Sequence, residues 1–292
     1  MRLSVELSVF DCNIRVDCLD PRAESLIAAN YGWFEGHGKD PDLTYVISRG
    51  QAFPRFVITR EGAEPVIASD EAEFLFLFEK DMTIELQKLR HDLYFLHGAA
   101  VEYKKRAIAL IAPSGFGKST TTWGLLHHGF KYLSDELTPV NLNTLEVVPY
   151  PHSLSLKGDP PAAYPLPNST IYTSLTRHIP VQFLPGGVTA SSTRLSAIFF
   201  LHYGPGIRES QIRLMSKAEA AVRLFSNALN PLAHQGDGLD GAIEIALKSQ
   251  CFDLLSTRDL SQTCDLVKRH IATILDNSRN SAGFSDGSKL RI

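Results

Sequence analysis

The chain has 292 residues, 44% hydrophobic and 21% charged, the balance of an ordinary globular protein with material for one large domain or two modest ones. A formal net charge of −3 supplies no basic field, so nucleic acid is excluded as the expected partner. No window reaches the apolar length of a membrane span, and Met1–Leu7 lacks the apolar core of a signal peptide. A cytoplasmic protein with no membrane partner is expected.

In the first segment Leu3, Val5, Leu7 and Val9 alternate with Ser and Glu, and Asn13–Cys18 repeats the pattern after a turn near Asp11. Period-two alternation predicts a hairpin with one buried face. Further short strands are predicted at Thr44–Ser48, Arg55–Thr59 and Pro65–Ala68, with a loop over Gly36–Pro41. The front third therefore reads as a small, mostly β subdomain. A helix is predicted to start at Ser69-Asp70-Glu71 and to end before Asp92; its Phe74, Phe76 and Phe78 are expected to pack against the nucleotide domain, with lining a ligand pocket as the alternative.

The middle of the chain reads as strands Ala99–Tyr103 and Ala107–Ile111, a glycine-containing loop, a helix from Lys118 to His128, and a strand Lys131–Leu133. That order suits a parallel α/β nucleotide site. Residues 149–167 are proline-rich and expected to be irregular, Leu195–Leu201 reads as a buried strand, and helices are predicted at Ser216–Ala228, Leu239–Lys248 and Leu260–Leu275. The polar segment 276–292 is expected to be disordered. The four cysteines, Cys12, Cys18, Cys251 and Cys264, form no Cys-x-x-Cys pair and have no histidine at zinc spacing, so free thiols are expected.

The chemistry concentrates at Ala112-Pro113-Ser114-Gly115-Phe116-Gly117-Lys118-Ser119-Thr120, between an apolar strand and a helix. This is the setting of a phosphate-binding P-loop. Gly115 and Gly117 free backbone N–H groups to face phosphate oxygens, and the helix adds the positive end of its dipole. Lys118 reaches the β- and γ-phosphates, and the Ser119 hydroxyl suits Mg2+. Ala112 stands where the general pattern has glycine, which is tolerated as long as that residue keeps a negative φ. Seventeen residues past Lys118, Asp135-Glu136 follow the next predicted strand, where carboxylates hold a metal or accept a proton. Lys157, Arg177 and Arg194 are weaker candidates for contacting phosphate. Gly186-Gly187 reads as a turn or the hinge of a moving loop, and His127-His128 complement the helix dipole.

His97-Gly98, Ser114–Ser119 and Ser134-Asp135-Glu136 together resemble the catalytic core of the HPr kinase/phosphorylase family, over about Leu96 to Val140. The Thr120-Thr121-Thr122 start of the helix is most similar to HPr-kinase-related proteins, some of which phosphorylate a precursor peptide. The resemblance implies an α/β fold, a P-loop nucleotide-binding domain of the HPr kinase/PEP carboxykinase-like type over residues 91–275, preceded by the β-rich subdomain 1–90. It implies ATP and Mg2+, a serine of a protein or peptide as phospho-acceptor, and a homo-oligomer. Carried over by position, Asp135 deprotonates the acceptor, Glu136 and Ser119 hold the metal, and His97 neighbours Asp135. The chain departs from the family's two aspartates at Glu136 and from its acidic residue after the P-loop serine at Thr120. Two other readings stay open: a nucleotide-dependent ATPase switch, and a peptide-binding accessory protein without phosphoryl transfer.

Overall fold

The computed structural model describes residues 3–36, 38, 40–50, 55–204 and 206–283. Strands β1 (Leu3–Val9) and β2 (Cys12–Cys18) pair antiparallel around Phe10 and Asp11, both at positive φ, the twist that a two-residue hairpin needs. Strand β2 then pairs parallel with β3 (Leu43–Arg49), which no hairpin can connect. Helix α1 (Pro21–Tyr31) makes the crossover. Its cap Asp20 accepts hydrogen bonds from the Arg22 and Ala23 N–H groups at 3.0 and 3.1 Å, and Pro21 occupies the first turn. This helix corrects the mostly β reading of the front third. Strands β4 (Phe56–Arg60) and β5 (Val66–Ala68) complete a five-stranded sheet in sequence order. Of the loop expected over Gly36–Pro41, residues 37 and 39 lie outside the described residues.

Helix α2 (Glu71–Leu89) starts where the sequence places it, with Asp70 accepting from the Glu73 N–H at 2.9 Å. Phe74, Leu75, Phe78, Met82 and Leu86 are buried on one side of it, in a core shared with that sheet. The same core takes in Leu93, Phe95, Leu137 and Tyr150, so apolar packing runs across residue 90 without a break.

The second half supplies β6 (Leu93–His97), β7 (Ala99–Tyr103), β8 (Arg106–Ile111), α3 (Lys118–His127), β9 (Lys131–Ser134), β10 (Leu137–Asn141) and β11 (Glu146–Val147). Then come β12 (Leu154–Leu156), β13 (Ile171–Tyr172), β14 (Arg177–Ile179), β15 (Thr193–Tyr203), β16 (Gln211–Leu214), α4 (Lys217–Ser226), α5 (Leu239–Lys248), β17 (Gln250–Ser256) and α6 (Leu260–Gly283). Among the described residues nine strands form one mixed sheet, ordered β6-β10-β11-β15-β8-β7-β9, with β17 also beside β15 and β16 beside β17. Strands β8, β15 and β17 are parallel. Strand β9 is antiparallel to β7, which is antiparallel to β8; β8 and β9 thus run the same way with β7 between them, and their C-terminal ends share one edge. The sheet's two faces are covered by different helices. Trp123, Leu125, Val267 and Ile271 of α3 and α6 pack with Phe199 and Phe252, while Leu224 and Ile245 of α4 and α5 pack with Tyr94 and Ile198.

Two further expectations change. Strand β12 lies inside the supposedly irregular stretch 149–167 and pairs with β14, which also pairs with β13. Helix α6 runs past Leu275 to Gly283, so the part of 276–292 that is described is helical; residues 284–292 lie outside the described residues. No helix among the described residues is long and apolar enough to cross a membrane.

Candidate functional site

Strand β8 ends in the glycine-containing loop before helix α3, which begins at Lys118. Gly115 and Gly117 have φ of 86° and 84°, a left-handed conformation that costs glycine nothing and other residues about 1–2 kcal/mol. Ala112 is buried and is not at positive φ, so alanine serves where the general motif has glycine. The Lys118 stem is buried, and its Nζ lies 2.9 Å from His97 Nε2 and 3.1 Å from Glu136 Oε2. His97 Nε2 and Glu136 Oε2 are 3.0 Å apart.

Strand pairing explains this meeting. Strands β6 and β10 are antiparallel with His97 opposite Leu137, which puts the imidazole beside the preceding residue, Glu136. Gly98, between β6 and β7, lets the chain pass close to β8, since a Cβ there would stand 3.0 Å from the Leu110 carbonyl oxygen. The imidazole nitrogen has two mutually exclusive uses: carrying a hydrogen it donates to Glu136, and with a free lone pair it accepts from Lys118. Burial raises the Glu136 pKa, but the His97 hydrogen bond and the Lys118 ammonium outweigh it and hold the carboxyl at about 2. Glu136 also has a φ of 61°, a strained conformation of the kind that concentrates at functional sites.

Asp135 sits differently. It is fully buried, and its carboxylate oxygens have no hydrogen-bond partner of good geometry among the described residues. Burial, reinforced by the Glu136 charge, pushes its pKa up to about 6; Lys118 and the nearby Ser119 hydroxyl pull the other way. The expected pairing of His97 with Asp135 is therefore corrected: the imidazole bonds to Glu136. The Asp135 backbone is held instead by His152, whose Nε2 donates to its carbonyl oxygen at 3.0 Å and lies 3.4 Å from Glu79 of α2.

Lys118, Glu136 and Glu79 border a cleft of about 820 Å³, within the roughly 300–1,000 Å³ of small-molecule and cofactor sites. Ser114, Gly115, Gly117, Lys118, Ser119, Thr120 and Glu136 line it. Phe116 projects from the loop, 40% exposed. Lys157 lines the cleft and donates to the Ser114 hydroxyl. Arg177 is tied to Asp159 at 2.9 Å, and Arg194, which donates to the Thr144 carbonyl oxygen, does not line the cleft. Gly186 is a close-packed turn, because a Cβ there would stand 2.2 Å from the Phe130 carbonyl oxygen. His127 packs edge-on against Trp123, and His128 pairs with Asp265 of α6 at 3.0 Å; both are structural. Phe74 and Phe78 are core residues, whereas Phe76 is exposed in the cleft.

Sequence reasoning missed Lys80, Thr83 and Gln87 of α2, and Ser155 and His178 of the β12–β14 pair, all of which line the cleft. The first three stand at helical spacing from Phe76, a signal present in the sequence but not readable as a site without the fold.

Ser119, Asp135 and Glu136 are hard oxygen donors, and the partnerless Asp135 carboxylate beside Ser119 fits a magnesium ion. No group of three or more His, Cys, Asp or Glu side chains gathers at a metal-binding spacing among the described residues.

No family profile matches the sequence, and no curated protein matches it. Among solved structures, the HPr(Ser) kinase/phosphatase from Coxiella burnetii is similar over 65% of this chain and 98% of its own, at 13% identity and a TM-score of 0.32. A likeness of that degree carries no argument about function, which rests on the cleft itself.

Proposed function

We propose that the protein is a kinase that uses Mg-ATP to phosphorylate a hydroxyl, on a serine of a protein or peptide. The observation that carries this reading is the convergence of Lys118, His97 and Glu136 within 3.1 Å of one another at the rim of a P-loop cleft. A P-loop alone supports nucleotide binding. A histidine-supported carboxylate facing the same cleft supports transfer to an acceptor.

Exposure supports different roles for the two carboxylates. The Glu136 side chain is 45% exposed and lines the cleft, whereas Asp135 is sealed off. Glu136 is therefore assigned to the acceptor hydroxyl, and Asp135 with Ser119 to the magnesium ion, the reverse of the assignment carried over by position. The bound ion would neutralise phosphate charge as it develops. Lys118 leaves Glu136 for the phosphates when nucleotide binds, which frees a carboxylate that His97 keeps oriented. Lys157, above the P-loop, adds a second ammonium for the transferred group.

The test is transfer of label from γ-labelled ATP into size-fractionated extract of the source cells, comparing wild type with Lys118→Ala, Asp135→Asn and Glu136→Gln. Labelling of one band or peptide that all three changes abolish is the expected result. Phosphate release by wild type with no labelled acceptor would replace this reading with an ATPase switch.

A further inference from the structure

Helix α2 belongs to the N-terminal sheet by its buried side, yet its other side forms a wall of the cleft. Phe76, Lys80, Thr83 and Gln87 all line the cavity and recur at i, i+4, i+7 and i+11, a single stripe on a helix. None of them is needed for the core. Phe76 is 63% exposed, and Lys80 is exposed with no ion-pair partner among the described residues. At α2's first turn, the cap Asp70 accepts a hydrogen bond from Ser174 at 2.7 Å. That contact fixes the neighbouring turn, whose Leu175 is 66% exposed and also lines the cavity.

The position of this wall assigns its use. Phosphoryl transfer places the attacking and leaving oxygens roughly in line, so an acceptor enters on the side away from the P-loop. Glu79, on the same helix, meets His152, and His152 holds the Asp135 carbonyl oxygen. The stripe thus flanks the carboxylate end of the cleft. From Phe76 to Gln87 it extends roughly 16 Å at the helical rise, the reach of about five residues of extended chain and more than a small hydroxyl compound needs. Its chemistry is an apolar surface, Phe76 with Leu175, beside an unpaired ammonium.

Building on the kinase reading, we propose that α2 is the acceptor-binding wall. The acceptor is an extended peptide segment whose phosphorylated serine is flanked by an apolar residue, which packs on Phe76 and Leu175, and by a carboxylate, which pairs with Lys80. The N-terminal subdomain thereby sets substrate choice, while the P-loop half holds nucleotide.

Short synthetic serine peptides flanked by Leu and Glu, by Leu and Lys, or by neutral polar residues test this with γ-labelled ATP, beside free serine. Wild type is expected to label the Leu/Glu peptide about ten-fold better than the Leu/Lys peptide, since opposed charges steer and hold the partner. Lys80→Glu should invert that preference, and Phe76→Ala should weaken labelling of every Leu-containing peptide, with Mg-ADP affinity retained in both variants. Inversion by charge exchange is something a merely structural lysine would not produce. Equal labelling of all peptides by wild type and Lys80→Glu, or labelling of free serine as fast as of any peptide, overturns the acceptor wall and leaves the kinase standing. If wild type binds Mg-ADP but labels neither these probes nor any component of the extract, the kinase reading falls and the acceptor wall with it.

Discussion

His178 is the buried titratable group whose charging should be most visible in stability. It lies in the cleft wall with Nδ1 3.0 Å from the Ser155 hydroxyl and Nε2 2.7 Å from the Thr176 hydroxyl, and it is only 7% exposed. Burial depresses its pKa from 6.5 to about 4. The folded protein therefore binds fewer protons at this site than the unfolded chain. Stability from neutral His178 is fully present above the unfolded value and is lost as pH falls from 6.5 toward 4. The full shift corresponds to about 3 kcal/mol at roughly 1.4 kcal/mol per pKa unit. Between about pH 7.5 and about pH 5 the loss is about 2 kcal/mol. Asp135 contributes with the opposite sign, because its raised pKa makes the folded state bind a proton more readily as pH falls, so the wild-type profile alone is not diagnostic. The decisive quantity is the difference from His178→Gln, which keeps a polar side chain and cannot charge. Urea unfolding of both proteins at the two pH values should show wild type losing about 2 kcal/mol more than the variant. Parallel profiles, whatever their common offset, would refute the claim that His178 is kept neutral by burial.

The remaining predictions concern the site and its loops. Asp135→Asn should raise the urea midpoint near neutral pH, because it removes a buried charge without a good partner, while abolishing Mg-dependent turnover; lower stability with unaltered turnover would contradict the assignment. Lys118→Ala should weaken Mg-ATP affinity by at least about ten-fold in calorimetry, as loss of a charge-assisted phosphate contact of about 1.5–3 kcal/mol requires. Gly186→Ala should cost more than about 2 kcal/mol in chemical unfolding, since a methyl group meets the Phe130 carbonyl oxygen, whereas Gly187→Ala, with open space around it and a similar φ, should cost about 1 kcal/mol. Equal costs at the two glycines would mean that Gly186 relaxes.

Where local chemistry decided an element, the sequence was legible. Helix α2 was readable from its Asp70 cap and acidic first turn, and the strand–loop–helix at β8 and α3 from an apolar run leading into two glycines and Lys118. Helix α1 was equally legible, with Asp20 as cap and Pro21 in the first turn, but alternation on either side drew the reading toward strands. The parallel pairing of β2 with β3 requires such a crossover, and that pairing is a long-range fact that no window of sequence displays. The same reason hides β7 between β8 and β9: strand order within a sheet depends on which apolar faces are covered, by α3 and α6 on one side and α4 and α5 on the other.

The site divides along the same line. Residue types and spacing marked Lys118 and the Asp135-Glu136 pair, and the family resemblance added His97, but which carboxylate meets the histidine is a matter of register. His97 stands opposite Leu137, and Glu136 adopts a left-handed backbone that swings its side chain toward the cleft and leaves Asp135 inside. A shift of one residue in the β6–β10 pairing would exchange the faces of that whole strand. The placement of the two acids thus follows from a backbone geometry that residue identities do not encode locally. Lys80 was illegible for a related reason: no local motif marks it, and its only claim to function is that helix α2, capped by Asp70 some forty-eight residues before Lys118, folds back to line the same cleft as that lysine. Specificity carried on such a helix can vary without disturbing the phosphate loop, because the buried side of α2 fixes the fold while the exposed stripe meets only what enters the cleft.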